Sequence, residues 1–169
     1  MKTPKHCPAL HLQLCTTTRG DHALCCQAQQ QLNPTQDWRE WWDSDEINQR
    51  RRQLAQGEWP GECSGCQQAE QQGRGSLRES YWRNYPREST EQAIAEWQQT
   101  GKAPDPVSLD LAVGNTCNLK CRQCNAEWSS AIAAEQGVKV ARPQAPREWY
   151  DTLPKEPLHT VKVQGGEPM

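Results

Sequence analysis

Residues 107–124 read VSLDLAVGNTCNLKCRQC. From Val107 to Val113 apolar residues alternate with small or polar ones, which is the two-residue period of a β-strand. The loop that follows carries Cys117, Cys121 and Cys124. Three thiolates on one short loop can hold three irons of a cubane cluster and leave the fourth iron without a protein ligand. A structural metal site would close its fourth position, so the loop predicts a cluster that binds something else.

A second strand is predicted near the end of the sequence. Residues His159–Gln164 alternate in the same way and lead into Gly165-Gly166-Glu167-Pro168. Ala126–Glu135 and Glu148–Leu153 are predicted to be helical, so the order is strand, helical crossover, strand, as in a parallel pair. Both motifs should then lie just past the C-terminal ends of neighbouring strands, where barrel folds place their chemistry.

Composition limits the class of protein. The chain of 169 residues fits one ordinary domain or two small ones, and its apolar share of 34% with no Phe argues against a large dry core. Eight Trp and bound metal are expected to compensate. The net charge of -2 gives no electrostatic case for nucleic acid or an acidic membrane surface.

Cysteine usage points to metal in a reducing compartment. No apolar run approaches the roughly 20 residues of a membrane span, and the N-terminus leads into no secretory signal, so the sequence predicts a cytoplasmic protein. There, nine cysteines are better explained as metal ligands than as a disulfide framework, and an odd number cannot pair completely.

The sequence divides into three parts by composition: a cysteine-rich part over 1–74, a helical connector over 75–106, and the strand–helix–strand unit over 107–169. In the first part, weak alternation on either side of Arg19-Gly20-Asp21 predicts a hairpin that brings Cys25 back beside Cys7. These parts together predict the α/β class.

Helix boundaries are predicted from capping residues. Asp43 or Ser44 should cap a helix that stops at Gly57, and its Arg50-Arg51-Arg52 run is expected to be solvated and to offset the helix dipole. In the connector, Ser89 with Gln92 matches a capping box, and Gly101 should end that helix.

The two motifs of the third part resemble those of the radical S-adenosylmethionine (SAM) superfamily, with Cys-x3-Cys-x2-Cys after the first barrel strand and a Gly-Gly-Glu-Pro type motif after the second. The resemblance implies that Cys117, Cys121 and Cys124 ligate a [4Fe–4S] cluster and that SAM chelates its open iron. It further implies that reductive cleavage of SAM yields a 5′-deoxyadenosyl radical, and it assigns no catalytic residue beyond the cluster ligands. The implied contacts of SAM are Gly165, Gly166, Glu167 and Pro168, with Gln123 where the family often has an apolar side chain against the adenine.

The first part resembles the twitch or SPASM type of auxiliary-cluster domain found attached to radical SAM enzymes. Cys7, Gly20 and Cys25 fit its opening pattern, and Cys63-x-x-Cys66 supplies the later pair. The resemblance implies a second [4Fe–4S] cluster on Cys7, Cys25, Cys63 and Cys66, with Cys26 as an alternative to Cys25. A closed four-thiolate zinc site is the competing interpretation. Cys15 has no counterpart in the pattern.

The fold implied is an incomplete (β/α) radical SAM barrel, consisting of the first βαβ unit, preceded by a small cysteine-rich α+β metal-binding domain. Since two strands cannot close a barrel, we expect the chain alone to be incomplete and inactive as an enzyme. A longer protein, a second polypeptide and a degraded gene remain as explanations.

The function implied is that of the N-terminal portion of a radical SAM enzyme. By analogy with auxiliary-cluster relatives its partners would be a peptide or protein substrate and an electron donor. The alternative is a non-catalytic iron–sulfur or zinc-binding module. Residues Arg74 to Arg78 also resemble a recurring segment of the same family, for which the sequence suggests no role.

Overall fold

The computed structural model describes residues 5–28, 37–140, 147–156 and 158–167. Its strands are β1 (Gln13–Thr16), β2 (His22–Ala23), β3 (Ser108–Ala112) and β4 (Thr160–Gln164). The helices, apart from a 3-10 turn at Gly61–Cys63, are α1 (Ala9–Leu12), α2 (Trp38–Trp42), α3 (Asp45–Gln56), α4 (Ser64–Gln71), α5 (Leu77–Asn84), α6 (Arg87–Thr100), α7 (Ser130–Gln136) and α8 (Arg147–Thr152).

One mixed four-stranded sheet organises the fold, in the order β2-β1-β3-β4. β3 and β4 are parallel, with Asp110 opposite Lys162, as predicted. The predicted hairpin is also present, because β1 and β2 pair antiparallel with Cys15 opposite Ala23. The fold is therefore mixed α/β, as expected, while the radical SAM barrel and the three-part division stay predictions.

β1 also pairs with β3 in parallel, with Leu14 opposite Leu109, which sequence reasoning did not anticipate. Strands from the first and third parts of the sequence thus share one sheet. Because β3 has a strand on each side, all five of its residues are buried, including Asp110. β4 lies at the edge and leaves Val161 and Val163 half exposed.

Two of the capping predictions differ in outcome. α3 begins after Ser44, whose hydroxyl accepts from the Ile47 amide, and ends at Gly57 in the left-handed conformation, as predicted. α6 instead begins directly after Pro86, so the predicted capping box at Ser89 is wrong. Proline favours the first positions of a helix because its φ is already helical and its missing N–H would have no partner there.

A capping box does occur one helix earlier, where Ser76 and Glu79 cap each other's backbone N–H at the start of α5. The crossover helix α7 is shorter than predicted: it begins after Ser129, whose hydroxyl accepts from the Ile132 amide, and Ala126 lies in the preceding turn. Serine caps set both starts because a side-chain oxygen satisfies an amide that the helix leaves unpaired.

Tryptophans dominate the core, as the composition suggested. Trp38, Trp41 and Trp42 are at most 2% exposed, and the indole N–H of Trp42 donates to the Pro104 carbonyl at 2.9 Å. Arg51 is also fully buried and donates to backbone carbonyls, so the expectation that the whole Arg50–Arg52 run is solvated is wrong. Within the described ranges, no helix has the length and apolarity needed to cross a membrane.

Candidate metal and cofactor sites

The three-cysteine loop is fastened to the start of α7. The Cys117 amide donates to the Ser130 hydroxyl at 3.0 Å, and that hydroxyl donates to the Cys117 carbonyl at 2.9 Å. The buried Ser129 hydroxyl donates to the Leu119 carbonyl at 2.8 Å. The backbone on one side of the loop is therefore held, while Cys121 is exposed and the other two thiols are partly exposed to an incoming ligand.

The glycine motif after β4 lies directly against this loop, as the sequence predicted. The Glu167 amide donates to the Thr116 carbonyl at 2.9 Å, and the Gly166 amide donates to the Trp128 carbonyl at 3.2 Å. A Cβ on Gly166 would overlap the Thr116 carbonyl oxygen, and one on Gly165 would overlap that of Gly114. Only glycine permits this approach, because a Cβ would clash and because φ is also positive, +94° at Gly165 and +59° at Gly166.

Of the two remaining residues of the predicted cofactor site, the structure describes only Gln123. Pro168 lies outside the described residues. Gln123 is exposed on the cysteine loop. The hydrogen bonds of Gly166 and Glu167 to Trp128 and Thr116 join backbone atoms. They leave the side chains of the cysteine loop for ligands.

The four thiols assigned to the second site line one cavity. Cys7 precedes α1, Cys25 follows β2, Cys63 ends the 3-10 turn and Cys66 lies on α4, and all four border a space of about 460 Å³ that is partly open to solvent. Cys26 does not border it. The structure thus favours Cys25 over Cys26 as the fourth member of this set.

Burial, with a smaller contribution from mutual repulsion, raises the pKa of the Cys7, Cys25 and Cys63 thiols and holds them in the neutral form. Burial raises the pKa of Cys25 to about 11. Burial, with the neighbouring Cys25 and Cys66, raises the pKa of Cys63 to about 12. Burial first and then Cys25 raise the pKa of Cys7 still further. A metal ion must displace these protons in order to bind, so uptake should be strongly pH-dependent.

In the parts of the chain that are described, no three or more His, Cys, Asp or Glu side chains form a group placed to hold a metal ion. Both cysteine sets fit iron or zinc by the chemistry of their donors, since thiolates suit both metals. Because only deprotonated thiols bind these metals, uptake would release protons at both sets.

A further cavity, with polar and apolar lining, lies between the β1–β2 hairpin and the turn before α7, and sequence reasoning missed it. It borders Cys25 and Cys26 on one side and Trp128 on the other. The space measures about 950 Å³ when its part open to solvent is included. Lys162 and Gln164, which line this cavity, donate to the buried Asp110 behind them at 3.3 Å and 2.6 Å. An acidic residue between two leucines of a buried strand was the available signal.

Comparison with known proteins leaves the resemblance resting on its motifs. The chain matches no family model, no curated protein and no solved structure. The resemblance to radical SAM enzymes therefore stays a prediction from the Cys117–Cys124 spacing and the Gly165–Glu167 motif.

Proposed function

We propose that this chain is the N-terminal portion of a radical SAM enzyme with an auxiliary metal site. The observation that supports the proposal best is the hydrogen bond from the Glu167 amide to the Thr116 carbonyl. It brings a three-thiol loop and a glycine motif together at the C-terminal edge of two parallel strands. The parallel pairing of β3 and β4 carries both motifs to one edge of the sheet, where they can serve one site.

In this proposal Cys117, Cys121 and Cys124 hold a [4Fe–4S] cluster. With SAM on its fourth iron, such a cluster supplies the reductive cleavage that yields a 5′-deoxyadenosyl radical. Ser129 and Ser130 hold the loop backbone in place, so that the thiols are presented on one side of it.

The glycine motif provides the approach for SAM. Gly165 and Gly166 allow the backbone to pass close to the loop, and the Glu167 carboxylate is available to accept from the cosubstrate's amino group. Gln123 would contact the adenine. The cavity beside Trp128 provides space for a peptide or protein substrate.

The auxiliary site on Cys7, Cys25, Cys63 and Cys66 would close around its metal, because four thiols complete the coordination of either a cubane or a zinc ion. An electron donor is required as a partner if a cluster is reduced. The cytoplasm is the proposed location, because all nine cysteines are free thiols and a reducing compartment keeps them so.

Anaerobic reconstitution with iron and sulfide tests the proposal. Two cubane clusters correspond to about eight irons per chain, and Cys121→Ala should retain about four. Cys25→Ala should also retain about four, whereas its neighbour Cys26→Ala should keep all eight, which makes it the matched control. SAM should perturb the electron paramagnetic resonance signal in Cys25→Ala but not in Cys121→Ala.

Two results would contradict the proposal. One is unchanged iron content in Cys121→Ala. The other is a reconstituted chain whose cluster signal SAM leaves unaltered. Zinc in the purified protein, with no brown colour after anaerobic handling, would instead favour the non-catalytic metal-binding module, for which the four-thiol cavity is sufficient by itself.

A further inference from the structure

Arg78, in the first turn of α5, is nearly buried, with 6% of its surface exposed. Its Nη1 donates to the Lys5 carbonyl at 2.9 Å and to the His6 carbonyl at 3.4 Å. These carbonyls belong to the two residues immediately before Cys7. The indole N–H of Trp82 donates to the same His6 carbonyl at 2.9 Å, so α5 holds the backbone that carries the first thiol.

The other edge of the same guanidinium contacts α4. Nε donates to one carboxylate oxygen of Glu70 at 3.0 Å, and Nη2 donates to the other. The Ser76 hydroxyl fixes this carboxylate further by donating to it at 2.7 Å. Glu70 lies on the helix that contains Cys66 and begins directly after Cys63.

One side chain therefore connects the segment before Cys7 to the helix of the Cys63-x-x-Cys66 pair. Arg78 also borders the four-thiol cavity and stacks over the Trp59 ring at 4.9 Å. Arginine suits this position because its planar fork can donate to a carboxylate and to backbone carbonyls at once, whereas lysine presents a single ammonium group.

We propose that Arg78 is a positioning residue of the auxiliary metal site, which sets the position of Cys7 relative to Cys63 and Cys66. The inference rests on the proposed metal at these thiols and adds a role for a residue that is not a ligand. It also assigns a role to Ser76 and Arg78, which belong to the segment from Arg74 to Arg78 for which the sequence alone suggested no role. Outer partners of metal ligands typically change affinity by about 10–100-fold when they are removed.

The test measures Co²⁺ affinity in a chain whose Cys117, Cys121 and Cys124 are replaced by alanine, so that only the second site can bind. Arg78→Gln should weaken Co²⁺ binding by about 10–100-fold. It should also lower the thiolate-to-cobalt absorption per bound ion to that of Cys7→Ala, because the thiol that loses its position is Cys7. A loss of overall stability would not produce that spectral change.

A double-mutant cycle identifies the thiol through which Arg78 acts. In the Cys7→Ala background, Arg78→Gln should change Co²⁺ affinity by less than about twofold, because nothing remains to be positioned. In the Cys66→Ala background the full loss should persist, because Cys7 and Cys63 still depend on the connection. Arg78→Lys should keep the ion pair with Glu70 and recover only part of the affinity.

Arg50→Gln is the matched control, because Arg50 also pairs with a glutamate at the cavity edge, Glu62 at 2.9 Å. Its guanidinium bonds to Glu62 and Gln49 rather than to the Cys7 segment. The Arg50→Gln variant should bind Co²⁺ with the full thiolate absorption per ion. Circular dichroism establishes that each variant is folded, and Arg78→Lys carries the test if Arg78→Gln is not.

The inference is overturned if folded Arg78→Gln and Arg78→Lys bind Co²⁺ like the parent, or if Arg78→Gln causes the same loss in the Cys7→Ala background. In either case the metal site itself stands as long as Cys7→Ala alone weakens binding. If Cys7→Ala leaves Co²⁺ binding unchanged, the proposed four-thiol site is wrong and the role of Arg78 is lost with it.

Discussion

Replacing Gly166 with alanine should open the contact between the glycine motif and the cysteine loop. Gly166 has φ +59°, and a Cβ there would overlap the Thr116 carbonyl oxygen. The same Cβ would lie 2.9 Å from the Thr116 nitrogen and 3.0 Å from the Asn115 carbonyl carbon. All three neighbours are backbone atoms, so no flexible side chain can move aside. The loop or the strand end must shift instead.

Gly137 provides a matched control. It has nearly the same φ, +65°, and a Cβ there would have no neighbour within 4 Å. Both alanine variants carry the strain of the left-handed conformation, about 1–2 kcal/mol. Only Gly166→Ala adds the cost of overpacking, about 1–3 kcal/mol. Gly137→Ala therefore shows whether the strain of an alanine at positive φ away from the contact is enough to open it.

Hydrogen exchange of the Glu167 amide is the appropriate assay, because this amide bonds to the Thr116 carbonyl across the contact. A chain end can open locally without global unfolding, so denaturation of the whole chain would underreport the effect. Opening relieves both the strain and the overpacking at Gly166, and their combined cost of about 2–5 kcal/mol corresponds to exchange about 30- to 5,000-fold faster in Gly166→Ala. Gly137→Ala should leave the Glu167 rate unchanged.

Equal exchange rates at Glu167 in Gly166→Ala and the parent chain would refute the reasoning, because the Cβ would then be accommodated without moving the loop. Faster exchange in both glycine variants would refute it as well, since the close contact would not be the cause.

The remaining predictions concern pH and a buried charge. The pKa values of the Cys25 and Cys63 thiols are higher in the folded metal-free chain than in the unfolded chain. The contribution of these protonated thiols to the free energy of unfolding is therefore complete below pH 9. It is lost as pH rises through about 11 and 12, by up to about 1.4 kcal/mol per pH unit for each thiol. Urea unfolding from pH 8 to 10.5 should show this loss, and Cys63→Ala should show a shallower one; a flat profile would contradict the assigned burial. Arg51→Met should destabilise the fold by about 2–6 kcal/mol, because it leaves the buried carbonyls of Leu10 and Trp42 without this donor, at about 1–3 kcal/mol each. The exposed Arg52→Met should stay within about 0.5 kcal/mol, and similar urea midpoints for the two variants would refute the distinction.

Local patterns predicted the elements that carry the candidate site. The alternation in β3 and β4 reflects the two faces of a strand, and the end of α3 at Gly57 reflects the freedom of glycine at positive φ. Local patterns failed where two of them competed. Ser89 has the form of a capping box, but Pro86 starts α6 earlier, and the box that forms is at Ser76.

The amino-acid sequence by itself determined which residues carry thiols, where β3 and β4 run, and that the two motifs lie at the same sheet edge, because thiol chemistry, alternation and glycine are local properties. Only the tertiary structure decided that β1 joins β3, that Cys25 rather than Cys26 borders the four-thiol cavity, and that Arg78 connects Cys7 to α4. The physical reason is that strand pairing and burial depend on backbone hydrogen bonds between residues about seventy to a hundred positions apart. The alternation of a strand indicates which face is buried but not which strand lies beside it.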